Sequence, residues 1–153
     1  MPTSREGRCL CGSVRFRVLG EPLRAHACHC TFCQRRTGSA FAEVAYYRDQ
    51  DVVVSGPVLT TYTHRSDTSD RWLRLEFCPA CGTCIVIALE RLPGERGIHV
   101  GTLDEPSSIE IKRHIWCNSA QGTALIPNAA ERRPCGLTEA DRGPYGGQAT
   151  PPA

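Results

Sequence analysis

Lysine is nearly absent from this chain: Lys112 is the single lysine among 18 basic residues, and the rest are arginine. That preference is compositional bias and carries no function. Net charge is also small. With 16 acidic residues the formal balance is only +2, which gives no electrostatic footprint for a nucleic-acid partner. Long apolar runs are missing. No stretch approaches the ~20 residues that a membrane-spanning helix needs. Met1 to Arg8 hold no apolar segment of the kind a secretory leader carries, so a cytoplasmic location is expected. In that reducing compartment disulfides are not maintained. Helix signals are few. A short turn of helix is expected around Thr31 to Arg36, and another near Glu105 to Ser108.

What the chain does have is cysteine and turn residues. Its 153 residues include 10 Cys, 14 Gly and 11 Pro. Gly and Pro together make up about a sixth of the chain, against the ~12% of average usage. The length suits one domain of roughly 100–200 residues, large enough for a real core. Strand patterns dominate between the turns. Val14, Phe16 and Val18 alternate with Arg15 and Arg17, which predicts a strand with one wet face. Ala40 to Tyr47 reads as a strand buried on both faces. Val52 to Val54, Leu73 to Phe77, Ile85 to Leu89, Ile98 to Gly101 and Ile109 to Trp116 read as further short strands. The expected fold is mainly β, a single domain over residues 1–135 with short helical turns. Residues 136–153 hold almost no apolar side chains and are expected to form a disordered tail.

The cysteines fall into groups whose spacing suits metal. Cys9 and Cys11 flank one residue and precede Gly12; in an extended segment both would point to one face. Cys78-Pro79-Ala80-Cys81-Gly82 is a knuckle in which a tight turn brings two thiolates together. Two ligands from each half make a closed, four-thiolate site of the structural zinc type. Pairing of Cys9 or Cys11 with Cys84 is an alternative without the knuckle geometry. Such a site can contribute roughly 10–16 kcal/mol of apparent binding energy to folding.

Cys28, Cys30 and Cys33 form a second group. Three thiolates from six residues, with an open fourth position, are what a catalytic zinc requires. A closed site with Cys84 or Cys117 as fourth ligand is the competing reading. A zinc ion held by three thiolates carries a formal charge of −1. It is matched to soft sulfur rather than to deprotonating water. That charge would favour nearby Arg, and Arg35 and Arg36 follow directly. His29, between two ligands, is expected to point away from the metal, partly buried and bonded to backbone.

These segments together resemble one family. They are Gly7-x-Cys9-x-Cys11-Gly12-x-Val14-x-Phe16, Cys28-His29-Cys30-x-x-Cys33-Gln34-Arg35-x-x-Gly38-Ser39-Ala40-Phe41, Phe77-Cys78-x-x-Cys81-Gly82-Thr83, Gly101-Thr102-Leu103-Asp104 and His114-Ile115-Trp116. The chain is similar over residues 7 to 117 to the glutathione-dependent formaldehyde-activating family, which includes centromere protein V. The resemblance implies a small zinc-bound β-tent with two zinc ions per chain. It implies a structural zinc on Cys9, Cys11, Cys78 and Cys81 and a catalytic zinc on Cys28, Cys30 and Cys33. The implied activity is formation of S-hydroxymethylglutathione from glutathione and formaldehyde, a carbon–sulfur lyase reaction in reverse. A small thiol such as glutathione is then the expected partner, with Arg35 or Arg36 meeting its carboxylates. Cys84, where a Pro often follows the knuckle, and Cys117, after His-Ile-Trp, depart from the pattern.

Two other readings compete. The Trp116-Cys117-Asn118-Ser119 segment is faintly similar to the catalytic segment of methionine-R-sulfoxide reductases, with Cys117 as nucleophile. A non-catalytic zinc module that binds another macromolecule is the second, since a fold does not determine a function.

Overall fold

The computed structural model describes residues 3–141. The chain opens with β1 (Ser4–Arg8) and β2 (Arg15–Leu19), which pair antiparallel. It continues through β3 (Arg24–Cys28), the α-helix α1 (Thr31–Thr37), β4 (Ala42–Arg48) and β5 (Val52–Ser55). Then come β6 (Thr60–Arg65), β7 (Trp72–Phe77), β8 (Cys84–Leu89) and β9 (Glu95–His99). β10 (Arg113–Ile115) and β11 (Glu131–Arg132) end the series. A three-stranded sheet has the order β1-β2-β5, and an eight-stranded sheet has the order β11-β10-β3-β4-β9-β8-β7-β6. β10 runs parallel to both its neighbours, and the other pairs are antiparallel. The expected mainly β, single-domain architecture is what the chain adopts.

Period-2 alternation sorts the side chains into two cores. Val14, Phe16, Val18 and Val52 of the small-sheet side meet Ala45, Tyr47, Val86 and Ile98 of the large sheet in one cluster. The alternate residues of the same large-sheet strands, Val44, Tyr46 and Ile87, join Leu75, Leu92 and Ile115 in a second cluster on the other face. The helix α1 lies over this second face through Cys33 and Phe32. β4 is therefore buried on both faces, as its continuous apolar run implies; only Glu43, half-buried, interrupts it.

Some elements differ from the sequence reading. Ser4–Arg8, Arg24–Cys28 and Thr60–Arg65 are strands without an apolar run to signal them. β6 is an edge strand exposed along almost its whole length, and register with β7 rather than burial defines it. The strand expected over Ile109 to Trp116 shrinks to three residues. Trp116 leaves the sheet with φ of 59°, and Ile109 turns into the first core. The strand expected over Ile98 to Gly101 instead ends at His99, and a 3₁₀ turn takes over at Val100–Thr102. The other expected turn lies at Pro106–Ser108. The chain beyond residue 135, expected as a loose tail, stays docked through residue 141. Leu137 is buried in the second cluster. Asp141 accepts from Arg113 at 3.0 Å and from Arg133 at 2.6 Å. The rest of that expected tail, 142–153, lies outside the described residues.

Gly97 of β9 shows how tightly the second face is filled. A Cβ there would lie 2.6 Å from Ile87 Cγ2, 2.6 Å from Val44 Cγ1 and 2.9 Å from Tyr46 Cε1. Gly97→Ala is expected to destabilise the protein by about 1–3 kcal/mol through overpacking. Urea unfolding of the variant against the native protein measures it; a loss near zero would show that these side chains yield without strain.

Candidate metal centres

The first centre lies where the β1–β2 loop meets the β7–β8 loop. Both loops close in the same way. Gly12 and Gly82, at φ of 77° and 71°, donate back to the carbonyls of Cys9 at 3.1 Å and Cys78 at 2.9 Å. Only glycine takes such a conformation without cost. Cys9 N–H then meets Val14 O, and Cys78 N–H meets Thr83 O, at 3.0 and 2.9 Å. The Cys9–Cys11 segment is thus a turn rather than an extended pair. Its sulfurs converge because the loop curls, as those of Cys78 and Cys81 do.

The four sulfurs lie within 4.8 Å of one another. Cys9 Sγ and Cys11 Sγ are 3.5 Å apart, and Cys11 Sγ and Cys78 Sγ are 3.8 Å apart. Disulfide sulfurs sit at about 2.05 Å, so these are four free thiols. Zinc–sulfur bonds of about 2.3 Å in a tetrahedron put sulfurs about 3.8 Å apart, and this donor set fits that geometry. Donors surround it. Val14 N–H points at Cys9 Sγ at 3.3 Å, and Ser13 Oγ sits 3.1 Å from Cys11 Sγ and 3.4 Å from Cys78 Sγ. The Thr83 hydroxyl, followed by backbone N–H groups, holds the Cys81 thiol down to about 5. Ser13 and Thr83 were not legible as partners of the sulfurs, because hydroxyl residues beside cysteine are common in any turn.

The second centre joins the end of β3 to the start of α1. Cys28, Cys30 and Cys33 bring their sulfurs within 4.8 Å of one another, and neither Cys84 nor Cys117 belongs to that group. Cys28 Sγ and Cys30 Sγ are 3.5 Å apart. Cys30 is also the N-cap of α1: its sulfur accepts the Cys33 N–H at 3.3 Å. Gly38, at φ of 64°, closes the other end by donating to Gln34 O at 2.9 Å. Contacts from Cys28 and then Cys33 lower the Cys30 thiol to about 3, while the Cys28 thiol is raised by Cys30 and then Cys33. Proton loss from the group is thus favoured at Cys30, whose sulfur also accepts the helix N–H.

Around this centre the backbone is fixed by residues that sequence reasoning read only in part. His29 turns away from the sulfurs, as expected, but it is fully buried and bonds a side chain rather than backbone. Its Nε2 is 2.9 Å from His114 Nδ1, and its ring lies 5.1 Å from that of Phe41. The His29 carbonyl accepts from Gln34 Nε2 at 2.7 Å and from Ser119 Oγ at 3.0 Å. Trp116, in the left-handed region, packs against the second cluster. The carbonyls of the irregular stretch 133–135, just after β11, accept the N–H groups of Trp116, Cys117 and Asn118. Cys117 is half-buried, with Sγ donating to His114 O at 3.4 Å, and Cys135 is exposed. Cys84 is half-buried in the second cluster. Burial pushes its thiol up to about 11, against the opposing charge of Arg36.

The two arginines of α1 part company. Arg35 is exposed, whereas Arg36 is half-buried and donates from Nη1 to His99 Nε2 at 3.1 Å. His99 is 9% exposed. Nothing in its sequence context marks it.

Two sheets tied by a four-sulfur cluster, with a three-sulfur cluster at a helix start, define a mainly β protein whose cysteine clusters could hold metal ions. The family model for "Glutathione-dependent formaldehyde-activating enzyme" matches residues 4–119, and the chain belongs to that family. A protein of Halomonas elongata, provisionally named for the same activity, is 31% identical over 91 residues; the match spans 58% of each chain. The chain thus covers little more than half of that curated relative. The crystal structure of a Rhodobacter sphaeroides protein is similar with a TM-score of 0.53 and 30% identity, over 69% of this chain and 96% of that one. Among the described residues no helix is long and apolar enough to cross a membrane.

The buried His99 predicts an acid response. Burial, and next the Arg36 charge, push its pKa down to about 3, against about 6.5 in an unfolded chain. Between those values the unfolded chain binds a proton that the folded chain does not. The stabilisation is therefore full above pH 6.5 and is lost as pH falls toward 3. His99→Gln should flatten the fall in stability between pH 6.5 and 5 by up to about 1.4 kcal/mol per pH unit. Urea unfolding across that range checks it; parallel slopes for both proteins would mean that His99 is protonated in the fold.

Proposed function

We propose that the protein is a zinc enzyme that adds a thiol to an aldehyde, of the S-hydroxymethylglutathione synthase type. Read backwards the reaction is that of a carbon–sulfur lyase. The observation that carries the reading is the three-sulfur group of Cys28, Cys30 and Cys33, which has no fourth cysteine within its radius. The family membership supports glutathione as the thiol and formaldehyde as the aldehyde. Cys9, Cys11, Cys78 and Cys81 would hold a structural zinc and the three-sulfur group a catalytic one, two per chain. The latter, when bound, supplies an open position that takes a thiol sulfur and keeps it as thiolate.

The remaining chemistry is addition. The sulfur lone pair forms the C–S bond, the carbonyl π pair moves to oxygen, and oxygen gains one proton for the one the thiol gave up. No oxidant or reductant is needed. The chain's part is to hold and shield. Phe32, Phe77 and Trp116 pack with the sulfurs in one apolar cluster, and such a lining keeps bulk water from competing for the aldehyde. The Gln34, Ser119 and His29 hydrogen bonds hold the loop between Cys28 and Cys30 rigid.

Metal analysis of protein purified without chelator should approach two zinc ions per chain. Cys30→Ser should lose one of them and keep the fold, because serine is a good N-cap for α1. Cys9→Ser or Cys81→Ser should lower stability, since a folding-linked site loses a ligand. Circular dichroism with metal content reads both. Unfolding of Cys30→Ser with loss of both ions would reverse the two roles.

Cobalt substitution gives a thiolate-to-metal band that reports on the open position. Glutathione should perturb it, and more strongly as pH rises toward the thiol pKa of ~8.5. A spectrum indifferent to every thiol at every pH would overturn the enzyme reading in favour of a non-catalytic zinc-binding interaction module.

A further inference from the structure

Arg36 is held in a way that its family motif does not explain. On α1, residues three and four apart share a face. Phe32, Cys33 and Arg36 accordingly all turn toward the large sheet. Phe32 stacks on His64 of β6 with ring centroids 4.7 Å apart, Cys33 enters the sulfur group, and Arg36 reaches His99. His99 sits directly across from Val44 in the β4–β9 register, so the sheet fixes its position. As a neutral imidazole it accepts one N–H of the guanidinium at Nε2, and this spends only the Nη1 corner of the group.

The other edge is free and buried. Nε and Nη2 of Arg36 are both out of contact with solvent, and neither has a hydrogen-bond partner. These two nitrogens form the side of the guanidinium that matches a carboxylate with two parallel hydrogen bonds. A buried donor pair left unmade is costly, and a positive charge left there is costlier still. A carboxylate entering beside the helix would complete it with two charge-assisted hydrogen bonds. Arg36 follows Cys33 by three residues on α1, so its side chain leaves the same helical face that carries a member of the three-sulfur group.

We infer that Arg36 is a carboxylate receptor beside the three-sulfur centre, that His99 is its positioning residue, and that the protein therefore selects thiols bearing a carboxylate. This rests on the thiol-binding reading above and narrows it. Arg35, exposed on the outer side of the helix, takes no part. Glutathione satisfies the requirement, and so does any small mercapto acid.

The test is binding to the zinc-loaded protein by isothermal titration calorimetry, with 3-mercaptopropionate and 3-mercaptopropan-1-ol as probes. The native protein should prefer the acid by at least about tenfold, the usual worth of a charge-assisted pair. Arg36→Gln should bring the two affinities within about twofold while leaving that of the alcohol unchanged. Arg36→Lys, which keeps the charge and loses the fork, should fall short of the native preference. Arg35→Gln should keep it. His99→Leu should reduce it, and His99→Gln, which offers an acceptor again, should restore it. Circular dichroism confirms that each variant is folded. Equal binding of both probes to the native protein overturns the receptor and leaves the thiol site standing. Collapse of the preference in Arg35→Gln rather than Arg36→Gln overturns the assignment. Binding of neither probe overturns the receptor together with the thiol reading beneath it.

Discussion

Thiol sulfurs that must share one small volume impose the main constraint on this fold. Cys9 and Cys11 belong to the hairpin of the three-stranded sheet, Cys78 and Cys81 to the turn between β7 and β8. Bringing them together closes a loop of about 70 residues and pins the small sheet onto the large one. The first core fills the space that this junction encloses, and Cys9 and Cys78 are themselves members of it. The apolar contacts and the sulfur cluster are thus one structure. Neither sheet alone would have a partner for its apolar face.

The second face of the large sheet is left free for chemistry by the same arrangement. With its other side committed to the junction, the sheet presents Val44, Tyr46, Leu75 and Ile87 to a single short helix. That helix places three kinds of group over one surface: an aromatic ring, a sulfur and a guanidinium. The segment after β10 closes the neighbouring edge with Trp116 and the carbonyls of 133–135. The site is therefore assembled from parts of the chain that are distant in sequence, on a floor whose reverse side packs in the first core.

Much of this was legible from residue spacing. Cys9, Cys11, Cys78 and Cys81 were readable as one group, and Cys28, Cys30 and Cys33 as another, because the chemistry of a metal site limits the patterns that produce it. The strands with apolar runs, β4 and β8 above all, were readable for the same kind of reason. What could not be read depends on tertiary pairing. Thr60–Arg65 has no apolar face and becomes a strand only through its register with β7. His114 meets His29 because β10 lies parallel to β3, a pairing that no local pattern encodes. Asp141 looked like part of a solvated tail because its partners, Arg113 and Arg133, carry no mark of the contact, and Leu137 because a lone apolar residue does not announce the second cluster it joins.

The cap of α1 has a further consequence. A seven-residue helix is well below the length that holds together by itself in water, so its order depends on its ends and its packing. Its N-terminal cap is the Cys30 sulfur, a better acceptor as thiolate than as thiol. A displacement of that sulfur is therefore passed through the cap to the whole helix, and so to the face that carries Cys33 and Arg36. Amide hydrogen exchange at Cys33, whose N–H points at that sulfur, reports how firmly the helix start is held.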